Sequence, residues 1–252
     1  MRSLPLRPVV LWVLIPVVAV LTVGGSAMVY LQAHKPPPLL SLTSPQPVVA
    51  SVTPSVPTSD NPCQPPATTD TLAVWLVQSG SRAGYRAHEL FIEVGLHEVV
   101  ARTDRVQGYA AIEGSSGSAV VKAVCVAVEP STMVSEDKLP PPLPPATNRD
   151  GHYEELFDTN NHRFVVFRAH QFTLPASALG GAKASVKVPG TLSMRGQERE
   201  VTATMSGVLS GQVGSVAGSM VVNATEWGME LPGDPVVRPD VTIEFALRFA
   251  RS

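Results

Sequence analysis

From about Thr71 onward, this chain is a succession of short segments in which apolar and polar residues alternate, separated by Gly, Ser, Asn or Asp. The last segment, VTIEFALRFA (241–250), alternates without a break. If it is extended, its five apolar side chains point to one face, whereas Glu244 and Arg248 point to the other. Such alternation is typical of a β-strand with one buried and one solvated face. Consecutive strands at this spacing predict an antiparallel sandwich or barrel.

The earlier segments have the same character and are joined by sequences suited to tight turns. GSSGS (114–118) and MRGQ (194–197) stand where hairpin turns are needed. One stretch differs, because a polyproline loop (139–145) precedes a predicted short helix over about residues 149–157, for which Asn148 is the expected cap. The alternating segments are LAVWLVQS (72–79), GSRAGYRAHELFIEVGL (80–96), VQGYAAIEG (106–114), AVVKAVCVAV (119–128), HRFVVFRAHQFTL (162–174), AKASVKVPGTLSM (182–194), EREVTATMSGVL (198–209) and SVAGSMVVNAT (215–225).

The N-terminal region predicts a membrane segment. Residues 8–33 carry no charge, and as a helix they would be about 39 Å long at 1.5 Å per residue, which is enough to cross a bilayer. Arg2 and Arg7 precede the segment, and only Lys35 follows it closely, so the N-terminus is predicted to be cytoplasmic and the rest extracytoplasmic. The alternative is a cleaved signal peptide, because Gly25 and Ala27 are spaced like a cleavage site.

Three regions follow from these patterns. We predict a cytoplasmic tip and single-pass transmembrane helix over residues 1–34, a spacer over 35–70 and a β-barrel domain over 71–252. The spacer is rich in Pro, Ser and Thr and has no helical period, which favours extended chain. The only cysteines are Cys63 and Cys125, and outside the cytoplasm they are expected to form a disulfide. The alternative is a buried Cys125 and a free Cys63.

Composition and motifs argue against several functions. The chain has 19 basic and 21 acidic residues without a clustered basic face, so nucleic-acid binding is not expected. It lacks a Gly-x-Ser-x-Gly elbow, a His-Glu-x-x-His motif and a Cys-x-x-Cys pair. We therefore expect a protein that is not an enzyme and has no cofactor and no metal. Arg86 and Arg102 are expected either to meet a lipid headgroup or phosphate, or to be solvated or paired with Glu89 and Asp104.

Six motifs occur in the order found in the YceI-like family, and over about residues 71–251 the chain resembles that family. Its members are exported, lipocalin-like proteins whose extended antiparallel barrel binds polyisoprenoid or other long-chain lipids. The resemblance implies an all-β fold: an extended antiparallel lipocalin-like β-barrel with one short helix, here preceded by a transmembrane helix and a Pro-rich linker. The motifs are SGSRAGYRAHE (79–89), ARTDRVQG (101–108), NRDGHYEELFD (148–158), VPGTLSMRGQEREV (188–201), EWGMELP (226–232) and VTIEFALRF (241–249).

The resemblance also implies what the last strand faces. A closed sheet of about eight strands leaves room for one slender ligand, so we expect an apolar tunnel. Alternation alone fits an ordinary filled core equally well. The residues expected to line the tunnel are Trp75, Val77, Ile92, Val94, Val165, Phe167, Val186, Val188, Val241, Ile243, Phe245, Leu247 and Phe249, with Tyr85, Trp227 and Met229 near its mouth or floor.

The expected function is that of a membrane-tethered, extracytoplasmic lipid-binding protein. It would sequester an isoprenoid or another long-chain apolar ligand inside the barrel, with about 0.8 kcal/mol gained for each buried CH₂ group. Its expected partners are that lipid and the membrane, and the sequence leaves open whether the barrel is a monomer or a homodimer. The alternative is a structural or adaptor β-domain with a filled core and no lipid ligand.

Overall fold

The structure is a computed structural model, and it covers most of the predicted barrel domain. No helix among the residues it describes is long and apolar enough to cross a membrane. The predicted membrane segment and the middle of the predicted spacer lie outside the described residues. These residues are 35–42, 61–92, 94–115, 118–179, 181–231, 233 and 236–252.

Within that part of the chain, thirteen strands form one antiparallel sheet. Their inward faces carry the alternating apolar residues, which confirms the predicted all-β class. The strands are β1 Leu72–Val77, β2 Arg82–Phe91, β3 Gly95–Thr103, β4 Val106–Ser115, β5 Ser118–Val128, β6 Val134–Ser135, β7 Val165–Ala169, β8 Phe172–Thr173, β9 Ala184–Met194, β10 Gln197–Ser210, β11 Val213–Asn223, β12 Val236–Val237 and β13 Asp240–Arg251.

The sheet closes into a barrel because its last strand pairs on both sides. β13 pairs with β11 along one edge, and along the other edge it pairs first with β2 and then with β1. β1 and β2 are thus two parts of one long strand, and the same holds for β3 with β4, β5 with β6 and β7 with β8. Counted in this way, and without the short β12 that pairs with β2 beside the main order, the barrel has eight antiparallel strands.

Short helices fill the connections. A 3-10 helix over Ala146–His152 runs into α1 (Tyr153–Phe157), α2 (Ala176–Leu179) follows β8, and a 3-10 turn over Ala224–Trp227 follows β11. The predicted helix over 149–157 is therefore confirmed only in its second part. Asn148 is not its cap, because the first turn begins after Pro145 and has no side-chain cap. Prolines and Gly151 have low helix propensity, which explains the late start of α1.

The expected disulfide is present, and it changes the picture of the spacer. Cys63 and Cys125 are bridged, with their Cα atoms 5.4 Å apart. Cys125 lies on the outer face of β5, where the pair packs with Ala127 and Val166. Residues 35–42 also lie on the barrel, through hydrogen bonds to Arg86, Arg102 and Glu244. The described parts of the predicted spacer thus include segments that are fixed against the barrel. The sequence did not predict this, because the spacer has no apolar pattern that indicates packing.

Candidate functional site

The barrel encloses a cavity in the half that ends at α2. Its volume, counted as the space open to the centre of a water molecule, is about 160 Å³. All of its lining side chains are apolar. The lining residues are Trp75, Ala83, Ala110, Ile112, Val121, Val124, Val126, Val128, Val165, Phe167, Ala169, Phe172, Leu174, Pro175, Ala178, Ala184, Val186, Leu192, Met205, Gly207, Val208, Leu209, Val216, Met220, Ile243, Phe245, Leu247 and Phe249.

Size and chemistry together describe what this space can hold. By the same measure, one water molecule needs about 10–15 Å³ and two to four polar partners. The cavity is roughly ten times larger, and its lining offers no carboxylate, amide, hydroxyl or guanidinium group. An apolar molecule gains free energy on entering such a space because its surface leaves water without losing hydrogen bonds.

Half of the predicted ligand-contacting residues line this cavity. They come from strands on both sides of the barrel and are Trp75, Val165, Phe167, Val186, Ile243, Phe245, Leu247 and Phe249. Local sequence explains one wall: a Cβ atom on Gly190 would lie 2.8 Å from the Phe167 ring, so only glycine lets that ring lie against β9. Whether these residues touch a ligand stays a prediction.

Other predicted residues point inward but do not line the cavity. Val77, Trp227 and Met229 belong to the packed core, Tyr85 and Val241 are partly buried against it, and Val188 is fully buried on β9. Ile92 and Val94 were wrongly predicted. β2 ends at Phe91, and both residues lie in the turn before β3, where the alternation no longer applies. Ile92 is 87% exposed on the outside of the domain.

The other half of the barrel interior is filled by side chains from outside the strands. The ring of Tyr85 lies 6.1 Å from that of Tyr153 and 6.2 Å from that of Phe157, both on α1. Trp227, only 1% exposed, comes from the 3-10 turn after β11, and its indole N–H donates to the carbonyl of Leu192. We call this the filled half and the other the cavity half.

A buried polar network lies in the filled half, between the barrel and the helix before α1. Arg149 forms ion pairs with Asp137 and Glu89, and His97 Nε2 lies 3.0 Å from Asp137 Oδ2. Asp137 Oδ1 also accepts a hydrogen bond from the backbone N–H of Val100. The network holds the helical segment on the barrel and lies away from the cavity lining.

The pKa values in this network shift in opposite directions. Burial alone would raise the pKa of Asp137, but the hydrogen bonds from His97 and Arg149 outweigh it and lower the pKa below its usual value. Burial raises the pKa of Glu89, and Arg149 offsets this only in part. Burial also raises the pKa values of Tyr85 and Tyr153, so both phenols are protonated at neutral pH.

Sequence reasoning missed most of the cavity lining and one buried charge. Twenty of the 28 lining residues were not predicted, including all of those on β4, β5, β10 and β11. Pro175 and Ala178 line the cavity from the connection around α2, which carries no strand pattern that could have indicated them, whereas Leu174 ends the alternating segment 162–174. Glu244 was predicted to face solvent. It does point outward from β13, but it is 0% exposed.

Two arginines and the backbone of residues 37–40 bury the Glu244 carboxylate. Arg86 Nε lies 3.1 Å from Glu244 Oε2, and Arg102 Nε lies 2.8 Å from Oε1. The backbone N–H of Leu40 donates to Oε2, and the two guanidinium groups donate to the carbonyls of Pro37 and Pro38. The expected pairing of Arg86 and Arg102 with Glu89 and Asp104 is therefore wrong: their partners are Glu244, Glu98 and Glu136.

Comparisons with known proteins agree with this architecture. None of the curated proteins matches the chain. Among solved structures, the fold is similar to a polyisoprenoid binding domain from Saccharophagus degradans implicated in plant cell wall breakdown, with 16% sequence identity, a TM-score of 0.52 and coverage of 72% of this chain and 99% of that one. It is also similar to BcnA of Burkholderia cenocepacia, with 15% identity, a TM-score of 0.44 and coverage of 66% and 95%.

A likeness at this level of identity shows the fold alone. The family assignment comes from the sequence, because residues 76–249 match the model of the YceI-like domain. The match lies inside the predicted barrel domain and includes every strand that closes the cavity except most of β1 and the last residues of β13. It covers well over half of the chain, and the protein therefore belongs to the family defined by the YceI-like domain.

Proposed function

We propose that this protein binds one long-chain apolar lipid, of the isoprenoid class or similar, inside the cavity half of its barrel. The observation that carries the proposal is the lining, in which every side chain is apolar and the space is too large to be explained as a packing defect. A slender hydrocarbon chain matches the shape that an eight-stranded barrel encloses. The related fold from Saccharophagus degradans, described as polyisoprenoid binding, supports this ligand class.

The mechanism of binding is sequestration. Each methylene group that moves from water into the cavity contributes about 0.8 kcal/mol, so a chain of moderate length binds tightly without a polar anchor. The filled half stops the ligand at the level of Tyr85, because aromatic side chains occupy the interior beyond Ile243. The cavity reaches the segment around α2, and this end is the route by which we expect the ligand to enter.

The proposal includes a tether. Residues 8–33 carry no charge and have the length of a membrane span, and the basic residues lie before them. Binding and tethering together would place a lipid-sequestering barrel at an extracytoplasmic membrane surface. The disulfide is compatible with that compartment, because such bridges persist mainly outside the cytoplasm.

Mass spectrometry of an organic extract tests lipid binding directly. The purified full chain is expected to carry a long-chain lipid in near-equal molar amount. Ala169→Trp places a large ring in the cavity and should abolish the lipid, whereas Thr202→Trp introduces the same ring at an exposed position on the outer face of β10 and should not. An extract free of lipid from wild type, together with no uptake of added isoprenoid alcohol, would support the structural or adaptor alternative.

A further inference from the structure

In the part of the chain that the structure describes, the strongly exposed large apolar side chains occur on one side of the barrel. Among the described residues there are seven, and none lies at the end near α2. Water-exposed Leu, Ile and Val side chains are ordinary when scattered, but a contiguous group indicates a contact surface. Strand pairing places three of these side chains in such a group.

Three of them stand side by side across three strands. Val236 on β12 is directly opposite Leu90 on β2, and Leu90 is directly opposite Leu96 on β3. Directly paired residues of antiparallel strands have their side chains on the same face of the sheet. Each of the three is about half exposed, and Ile92 follows at the tip of the β2–β3 hairpin.

The same face carries the buried charge cluster. Leu90 and Arg86 are four residues apart on β2, so their side chains lie on the same face. Arg86 is opposite Thr242, which in turn is opposite Val221, another of the exposed residues. Val134, opposite Arg102, also belongs to this face. It is the outer face, because Ala83 and Tyr85, of opposite parity on β2, point into the barrel.

The N-terminal segment of the described chain is fixed to this face. The carbonyls of Pro37 and Pro38 accept hydrogen bonds from two buried arginines, and the N–H of Leu40 donates to Glu244. Between these contacts, Leu39 projects outward and is exposed. The chain therefore approaches the barrel on the side where the apolar residues are exposed.

The sequence before residue 35 indicates which partner this surface contacts. The charge-free segment 8–33 ends two residues before Lys35, and two residues of extended chain span at most about 7 Å. If that segment crosses a membrane, the face that holds residues 37–40 must lie close to the bilayer. We call Leu39, Leu90, Ile92, Leu96 and Val236 the apolar flank.

We propose that the apolar flank rests on the lipid bilayer, with the β2–β3 hairpin at Ile92 inserted into the headgroup region. The proposal rests on the tether of the proposed function and not on lipid binding in the cavity. Exposed Leu and Ile side chains are stabilised at the boundary between headgroups and acyl chains. Because the hairpin lies beyond the filled half, the end of the barrel near α2 points away from this membrane.

Site-directed fluorescence in vesicles tests this arrangement with the full chain. Both native cysteines are bridged, so a single new cysteine can be labelled with bimane. The probe position is Ile92→Cys, and the matched control is Gln212→Cys, an exposed turn residue between β10 and β11 at the other end of the barrel. The labelled proteins are reconstituted into phosphatidylcholine–phosphatidylglycerol vesicles in which some lipids carry a nitroxide near the headgroup.

The label at position 92 should lose most of its fluorescence to the lipid-borne nitroxide, and the label at 212 should lose little. Flotation of the same samples reports on the tether independently of quenching. Chains that float but show equal, weak quenching at both positions would overturn the bilayer contact and leave the tether standing. Chains that do not float would overturn both. Dipolar coupling between spin labels at position 92 of different chains would instead identify this surface as a contact with a second copy.

Discussion

The two halves of the barrel interior are built from the same kind of strand and differ in what stands between the strands. In the cavity half, Phe245, Leu247 and Phe249 of β13 face an open space. In the filled half, Tyr85 of β2 meets side chains from α1, and Trp227 of the 3-10 turn after β11 packs into the same core. Alternation thus determines which residues point inward, but connections far away in sequence determine whether these residues line a space or fill it.

The two halves should also differ in how much free energy of unfolding is lost when an inward side chain is truncated. A side chain in the filled half is surrounded by other side chains, so its truncation leaves a new void. A side chain in the cavity half already borders a void, and its truncation only enlarges it. The following variants test this contrast in the full chain, with free energies of unfolding measured after removal of bound lipid.

Trp227→Ala should have the largest effect. The side chain is almost completely buried in the filled half, and removal of such a ring costs about 3–5 kcal/mol. Urea titration followed by circular dichroism measures the loss, and Trp227→Phe, which retains most of the packing, serves as the control. A loss no greater than that of Phe245→Ala would mean that the two halves are equally packed.

Asp137→Asn should destabilise the filled half by about 1.5–3 kcal/mol at neutral pH, the usual value of a hydrogen bond to a charged group. The pKa of Asp137 is lowered in the folded protein, so its carboxylate stabilises the fold at pH values above the unfolded-state pKa, near 3.8. This contribution is lost as the pH falls from there through the folded-state pKa. Wild type and variant should therefore converge in stability at acidic pH, and a constant difference between pH 7 and pH 2 would contradict the assignment.

Phe245→Ala should cost less than Trp227→Ala, about 1–2 kcal/mol, because one side of the ring already faces open space. The variant should also change the amount or chain length of the lipid found by mass spectrometry of the extract. Val241→Ala, on the same face but outside the lining, is the control and should leave the lipid unchanged. A large stability loss with unaltered lipid would identify Phe245 as ordinary core.

The same substitution, Val to Ala, at two neighbouring inward positions should give the smallest difference in unfolding free energy and the most direct comparison of a position that lines the cavity with one that does not. Val186 and Val188 lie two residues apart on the inward face of β9, but only Val186 lines the cavity. Because Val188 is fully buried, Val188→Ala should cost roughly 1 kcal/mol more than Val186→Ala. Equal costs in urea titrations would mean that the cavity is closed in solution.

The fold was largely predictable from the sequence, since alternation survives wherever a strand has one apolar face. The prediction from alternation failed at Ile92 and Val94, because the apolar pattern of β2 continues through the turn although the strand itself ends at Phe91. The interruptions that divide four of the eight strands carry no pattern of their own. That the parts on either side of each interruption belong to one strand is seen only when the strand pairings are known.

The site was predictable in part. The inward face of β13 follows from its sequence, whereas the contribution of Pro175 and Ala178 depends on where a short irregular connection folds back. The burial of Glu244 on the outer face could not be predicted for the same reason, because it depends on contacts with other strands. A glutamate between Ile243 and Phe245 looks solvated, and only the approach of Arg86 and Arg102 from two other strands makes its burial possible.

Because β13 closes the barrel, it determines when during synthesis and folding the interior can become enclosed. Among the described strands β13 comes last in chain order, and until it is synthesised β1, β2 and β11 each have an unpaired edge. Arg86 and Arg102 likewise lack the carboxylate of Glu244 until that strand arrives. The barrel can therefore close around a hydrocarbon only after β13 has been synthesised and has paired with β11 on one side and with β1 and β2 on the other.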